Sequence, residues 1–202
     1  MTDSATPAGP ERPSAGSRGA DDDEARRALA EVLGAVQSVT VGELDSLARE
    51  IHDANVVASY GVGREGLMMR ALTMRLFHAG VDAHYVGDMT CPAVGPGDLL
   101  IVSLGPGRLR SIEAIADVAA SAGARVIGFT AEPQLVVPGL LHRTVAICAQ
   151  TMASDSGSTA VLPMGSAFEG ALLVLGDLIT NRVRDLTGES LERMRSRHTN
   201  LE

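Results

Sequence analysis

The sequence predicts an α/β protein: a three-layer open sheet of about five parallel strands flanked by helices, with further helices at its N-terminus. Three observations predict it. Short β-branched runs alternate with helical patterns along most of the chain, and the connections between them are short, as a parallel sheet covered on both faces requires. Apolar residues make up 45% of the 202 residues, enough for one core. Aromatic residues are only 2%, while Ala, Val, Leu and Gly abound, a composition suited to helices packed closely on a parallel sheet.

The elements follow in order. Residues 1–22 are rich in Pro, Gly, Ser, Ala and charge, and the reading is a disordered tail ahead of a single domain over 23–202. From Asp23, Ala28, Val32, Ala35, Val36 and Val39 share one helical face. Leu44, Leu47 and Ile51 continue at helical spacing, with Thr40 placed to cap and Glu43 three residues on. "NVVASYGVG" reads as a strand ending in glycines. "REGLMMRALTMRLFHAG" is a helix closed by Gly80. "DAHYVG", "GDLLIVS", "ARVIGFT" and "RTVAICA" read as strands. A helix, "RLRSIEAIADVAASAG", lies between the second and third of these, and "GSAFEGALLVLGDLITNRVRDL" is a long helix after them.

Several classes are disfavoured. The formal charge of −8 and the scarcity of aromatics argue against nucleic acid. No apolar run reaches the roughly 18 residues of a membrane span, and no secretory signal pattern opens the chain. Cys91 and Cys148 have neither metal-ligand spacing nor the numbers for a disulfide framework. A reduced cytoplasm and a small-molecule ligand are the expectation.

In open parallel sheets ligands bind beyond the carboxyl ends of the strands. Two loops have that position and each leads into a helix, whose N-terminus favours negative charge. The first, "GVGREG", carries Gly61, Gly63 and Gly66. Those glycines fit half of a dinucleotide fingerprint, but Asp82 and Asp88 do not fall where a ribose would need its acidic partner. They equally permit a tight strand-to-helix turn. Arg64 at a helix start opposes the dipole and so points to an anionic ligand or an acidic neighbour. Glu65 suits the dipole but repels an anion. The second loop, "SLGPGRLRS", offers Ser103, Gly105, Gly107, Arg108 and Arg110.

From about Ala25 onward the motifs resemble the sugar isomerase (SIS) domain family, and within it the 6-phospho-3-hexuloisomerases. The matching stretches are "GVGREGLMMRALTMRLFHAG", "YVGDMTCPAVGPGDLLIVSLG", "LPMGSAFEGALLVLGDL" and the ending "MRSRHTNLE". The resemblance implies a flavodoxin-like sheet, a homotetramer or a dimer of dimers, and interconversion of 3-hexulose 6-phosphate and fructose 6-phosphate without metal or cofactor. It assigns Glu169 as the group that carries a proton between adjacent carbons through an enediolate, and His198 as a second acid/base group reaching a neighbouring subunit. It gives substrate contacts to Gly61, Gly63, Arg64, Glu65, Ser103, Gly105, Gly107, Arg108 and Ser166.

The chain departs from the family pattern where phosphate would bind. Glu65 stands in place of a serine, and after Ser103 the next positions read Leu104, Gly105, Pro106, Gly107 and Arg108, so the family's later hydroxyls are missing. Pro106 also removes a backbone donor. Three alternatives stay open: the arginines hold phosphate in a new way; Glu65 fills the anion pocket and the sugar is unphosphorylated or differently charged; or the domain binds a sugar phosphate without catalysis. The loop Ser154 to Thr159 offers hydroxyls that could compensate.

Overall fold

The computed structural model describes residues 15–155 and 160–201, with side chains from Asp22 onward. Its centre is a five-stranded parallel sheet in the order β2-β1-β3-β4-β5. The strands are β1 (Val57–Tyr60), β2 (Ala83–Tyr85), β3 (Leu99–Ser103), β4 (Arg125–Thr130) and β5 (Arg143–Ala146). Each falls inside the run that predicts it.

The helices are α1 (Ala15–Gln37), α2 (Val41–His52), α3 (Gly63–His78), α4 (Arg110–Ser121), α5 (Ser166–Thr187) and α6 (Leu191–Ser196). The first starts earlier than expected: residues 15–22, read as part of a tail, are helical, and the rest of that expectation lies outside the described residues. Further along the same helix Asp23 pairs with Arg27 one turn on, at 3.2 Å. Thr40 does cap α2. Its hydroxyl accepts from the Glu43 amide at 3.2 Å while the Glu43 carboxylate accepts from the Thr40 amide at 2.9 Å.

The sheet is buried on both faces, so successive residues of β3 enter different cores. Leu99 and Ile101 join Leu47, Met69, Leu76, Phe168 and Leu175 under α2, α3 and α5. Leu100 and Val102 join Ile112 and Ala116 under α4. Glu50 of α2 ties the first layer to the sheet edge by accepting from Arg125 of β4 and Arg143 of β5. Among the described residues no helix is long and apolar enough to cross a membrane.

Strand order reverses between β1 and β3, because β1 is followed by a neighbour on one side and then by β3 on the other. The loops leaving β1 and β3 therefore splay apart at their carboxyl ends and open a crevice.

Candidate active site

A cavity of about 200 Å³ lies at that crevice. Val62 to Glu65 wall it after β1, Pro106 and Leu109 after β3, Thr151 and Met152 after β5, and Met164, Gly165, Phe168 and Glu169 around the start of α5.

Glu169 reaches it from the first turn of α5 and is only 8% exposed. Met164 and Gly165 aim that turn. Both have left-handed backbones, at φ 56° and 87°, and Met164 is the one non-glycine residue in that region among those described. The Glu169 carboxylate stands 3.1 Å from Nε of Arg64, yet its Oε2 receives no hydrogen bond. Burial pushes its pKa above the ordinary carboxylate range; the guanidinium of Arg64 pulls the other way and the charge of Glu65 adds to the rise. Arg64 is steadied by donating from Nη1 to Ser166 Oγ at 3.0 Å. The acidic neighbour that its place at a helix start calls for is thus Glu169.

Glu65 turns inward across the crevice. Its Oε2 accepts the Ser103 hydroxyl at 2.5 Å and the Gly105 amide at 2.9 Å. A β-carbon at Gly105 would stand 2.6 Å from Glu65 Oε1, so glycine there makes room for the carboxylate. Burial raises the Glu65 pKa, and the bonds from Ser103 and Gly105 oppose the rise.

The turn carrying Arg64 and Glu65 is held tightly. A β-carbon on Gly66 would meet the Gly61 carbonyl oxygen at 2.6 Å, and the Tyr85 hydroxyl donates to that same oxygen at 2.6 Å. Arg70 lies over the Tyr85 ring, 3.8 Å from its centroid, and pairs with Asp88 at 3.0 Å. The glycines at 61 and 66 thus serve a close backbone approach.

Other expected site residues lie elsewhere. Arg108 is exposed, bonds Glu113 at 3.1 Å and does not line the cavity; Arg110 and Gly107 also lie off it. A helix-start acid five residues on captures Arg108. His198 stacks on His78, ring centroids 5.3 Å apart, at the far end of α3 from Arg64. The helix alone separates those ends by about 20 Å at 1.5 Å per residue. Within one chain, Glu169 and His198 do not meet. Of the loop Ser154 to Thr159, Ser154 caps Thr151 by bonding its amide at 3.1 Å, and residues 156–159 lie outside the described ones. Sequence reading missed Thr151, Met152, Met164 and Phe168 as cavity walls; the only local signal was Pro-Met-Gly ahead of α5.

A 3-hexulose-6-phosphate isomerase of Mycobacterium gastri is 35% identical over 172 residues, 85% of this chain and 86% of that protein. The chain belongs to the 3-hexulose-6-phosphate isomerase family. A second 3-hexulose-6-phosphate isomerase, from Bacillus subtilis, is 32% identical over 161 residues, 79% of this chain and 87% of its own. The crystal structure of a Methanococcus jannaschii protein, from which that same molecular function was inferred, superimposes with a TM-score of 0.74 at 27% identity, over 89% of this chain and 99% of that one. No family model matches the sequence. Membership in the 3-hexulose-6-phosphate isomerase family, a family of sugar-phosphate isomerases with the SIS fold, agrees with the resemblance that the sequence motifs carry.

Proposed function

We propose that the protein is a sugar isomerase of the 3-hexulose-6-phosphate isomerase type, which moves a carbonyl between adjacent carbons of a ketose without metal or cofactor. A base takes the proton from the carbon beside the carbonyl, and the carbonyl oxygen takes up the charge as an enediolate. The proton returns to the former carbonyl carbon while the neighbouring hydroxyl gives up its own, so nothing is gained or lost overall. Glu169 is that base. The observation that carries this reading is a buried carboxylate of raised pKa whose Oε2 is ion-paired with Arg64 but accepts no hydrogen bond, at the wall of a sugar-sized cavity. Its affinity for a proton suits it to take one from carbon and give it back. Arg64, held by Ser166, is the cation beside the developing enediolate oxygen.

His198 acts as the second proton group only across a subunit contact, from another copy of the chain, so this reading requires a homo-oligomer, a dimer or tetramer. The relatives' names make isomerisation of 3-hexulose 6-phosphate the reaction type, and the resemblance of the motifs adds fructose 6-phosphate as its counterpart.

Exchange of solvent deuterium into a ketose, followed by NMR with fructose 6-phosphate and fructose offered separately, tests the proposal. Incorporation beside the carbonyl is expected with the native chain and is expected to vanish in Glu169→Gln. Exchange that persists in that variant removes Glu169 as the base. A folded native chain that binds a sugar and exchanges nothing supports the rival, a non-catalytic sugar-binding module.

A further inference from the structure

The geometry points to a specificity residue: Glu65 closes the anion seat of this cavity, so the sugar it takes presents an uncharged, hydroxyl-bearing end to the Ser103–Gly105 loop where a phosphate would otherwise sit. This rests on the reading of the cavity as a sugar isomerase site.

The donors of the seat are already engaged. The loop beyond β3 offers the Ser103 hydroxyl and the Gly105 amide, and both are given to Glu65 Oε2. The next residue, Pro106, has no amide hydrogen to add. The one cation lining the cavity among the described residues is Arg64, and it faces Glu169 and Ser166. Arg108 is turned to Glu113 outside. The walls thus carry two carboxylates against one guanidinium.

A dianionic phosphate brought to this loop would meet a carboxylate head-on and find its donors taken. Like charges so placed are strongly disfavoured in a partly buried site. A sugar hydroxyl fits the same place. Glu65 Oε1 accepts no hydrogen bond from any described residue, and Glu65 lines the cavity, so a donor from a guest completes it. The seat is built for the carboxylate, because Gly105 is the residue that leaves it room.

The test compares the native chain with Glu65→Ser, reading binding of inorganic phosphate, fructose and fructose 6-phosphate by isothermal titration, and exchange as above. The native chain is expected to favour fructose over fructose 6-phosphate by roughly tenfold or more and to show no competition from inorganic phosphate at millimolar concentration. Glu65→Ser is expected to gain roughly tenfold or more in affinity for both phosphates. A native chain that prefers fructose 6-phosphate overturns the inference, as does a folded Glu65→Ser that gains no phosphate affinity. If Glu65→Ser does not fold, Glu65→Gln is read the same way, since it keeps an acceptor for Ser103 and Gly105 without the charge. Phosphate excluded by Glu65 but no exchange into any ketose sinks the isomerase reading and leaves the charge selectivity standing.

Discussion

Arg64 stands 3.1 Å from Glu169 and donates a hydrogen bond to Ser166 three residues before it, so one guanidinium spans the first turn of α5. A base of raised proton affinity is therefore held beside the charge that tempers it. Replacing Glu169 by Gln should lower exchange by roughly 10²- to 10⁴-fold, the usual share of a positioned acid/base group. The fold should survive, since removing a poorly solvated charge relieves burial; a melting temperature no lower than that of the native chain at neutral pH checks that.

Arg64→Met should shift the acid limb of the pH–rate profile. In the proposed mechanism the Glu169 carboxylate is the working form, and Arg64 lowers its pKa against the effect of burial. Without Arg64 the pKa rises further, and the limb moves to higher pH. A limb that stays put, or moves down, contradicts the pairing.

Glu65 and Glu169 also set a pH dependence of stability. Both have folded-state pKa values raised by burial above those of the unfolded chain. Their contribution is then fully present below the unfolded glutamate pKa and is lost as pH rises through the folded value. The double variant Glu65→Gln/Glu169→Gln should therefore gain on the native chain as pH climbs from about 4 to about 7. Urea midpoints across that range check it; a gap that widens toward acid would reverse the sign.

His198 and Glu169 can cooperate only between chains. In a mixed oligomer of Glu169→Gln and His198→Asn, one site keeps both groups if each subunit lends its histidine to a neighbour. Two inactive variants mixed and re-assembled should recover exchange. Failure to recover, with mixed oligomers present, removes the histidine from the site.

Thr40→Ala should cost about 1 kcal/mol by losing the cap of α2, read as a melting-temperature fall of about 2–4 °C. Exchange should not change, because Thr40 lies far from the crevice.

The sequence carried the strands, the long helices and the two crevice loops because β-branched runs, apolar periodicity and glycine breaks are local signals. Thr40 with Glu43 is a cap legible from four residues. What lay hidden depended on where side chains turn. Glu65 read equally as a helix-start acid or an intruder in the pocket, and only the approach of β3 to α3 shows it bonded to Ser103. Arg108 read as an anion ligand until folding brings Glu113 against it. The walls formed by Thr151 and Met164 depend on a loop path and a left-handed backbone that no periodicity encodes. Residues 15–22 fall within α1, where their glycines and serine give no local helix signal.

Tyr85 belongs to the outermost strand, yet its hydroxyl is braced against the carbonyl of Gly61, immediately ahead of the turn that bears Arg64 and Glu65. The rim of the sheet is thereby bonded to the backbone that sets where both ionic side chains of the candidate site stand. Efforts to retune this enzyme's selectivity have a handle there, remote from the guest molecule, in a single phenol.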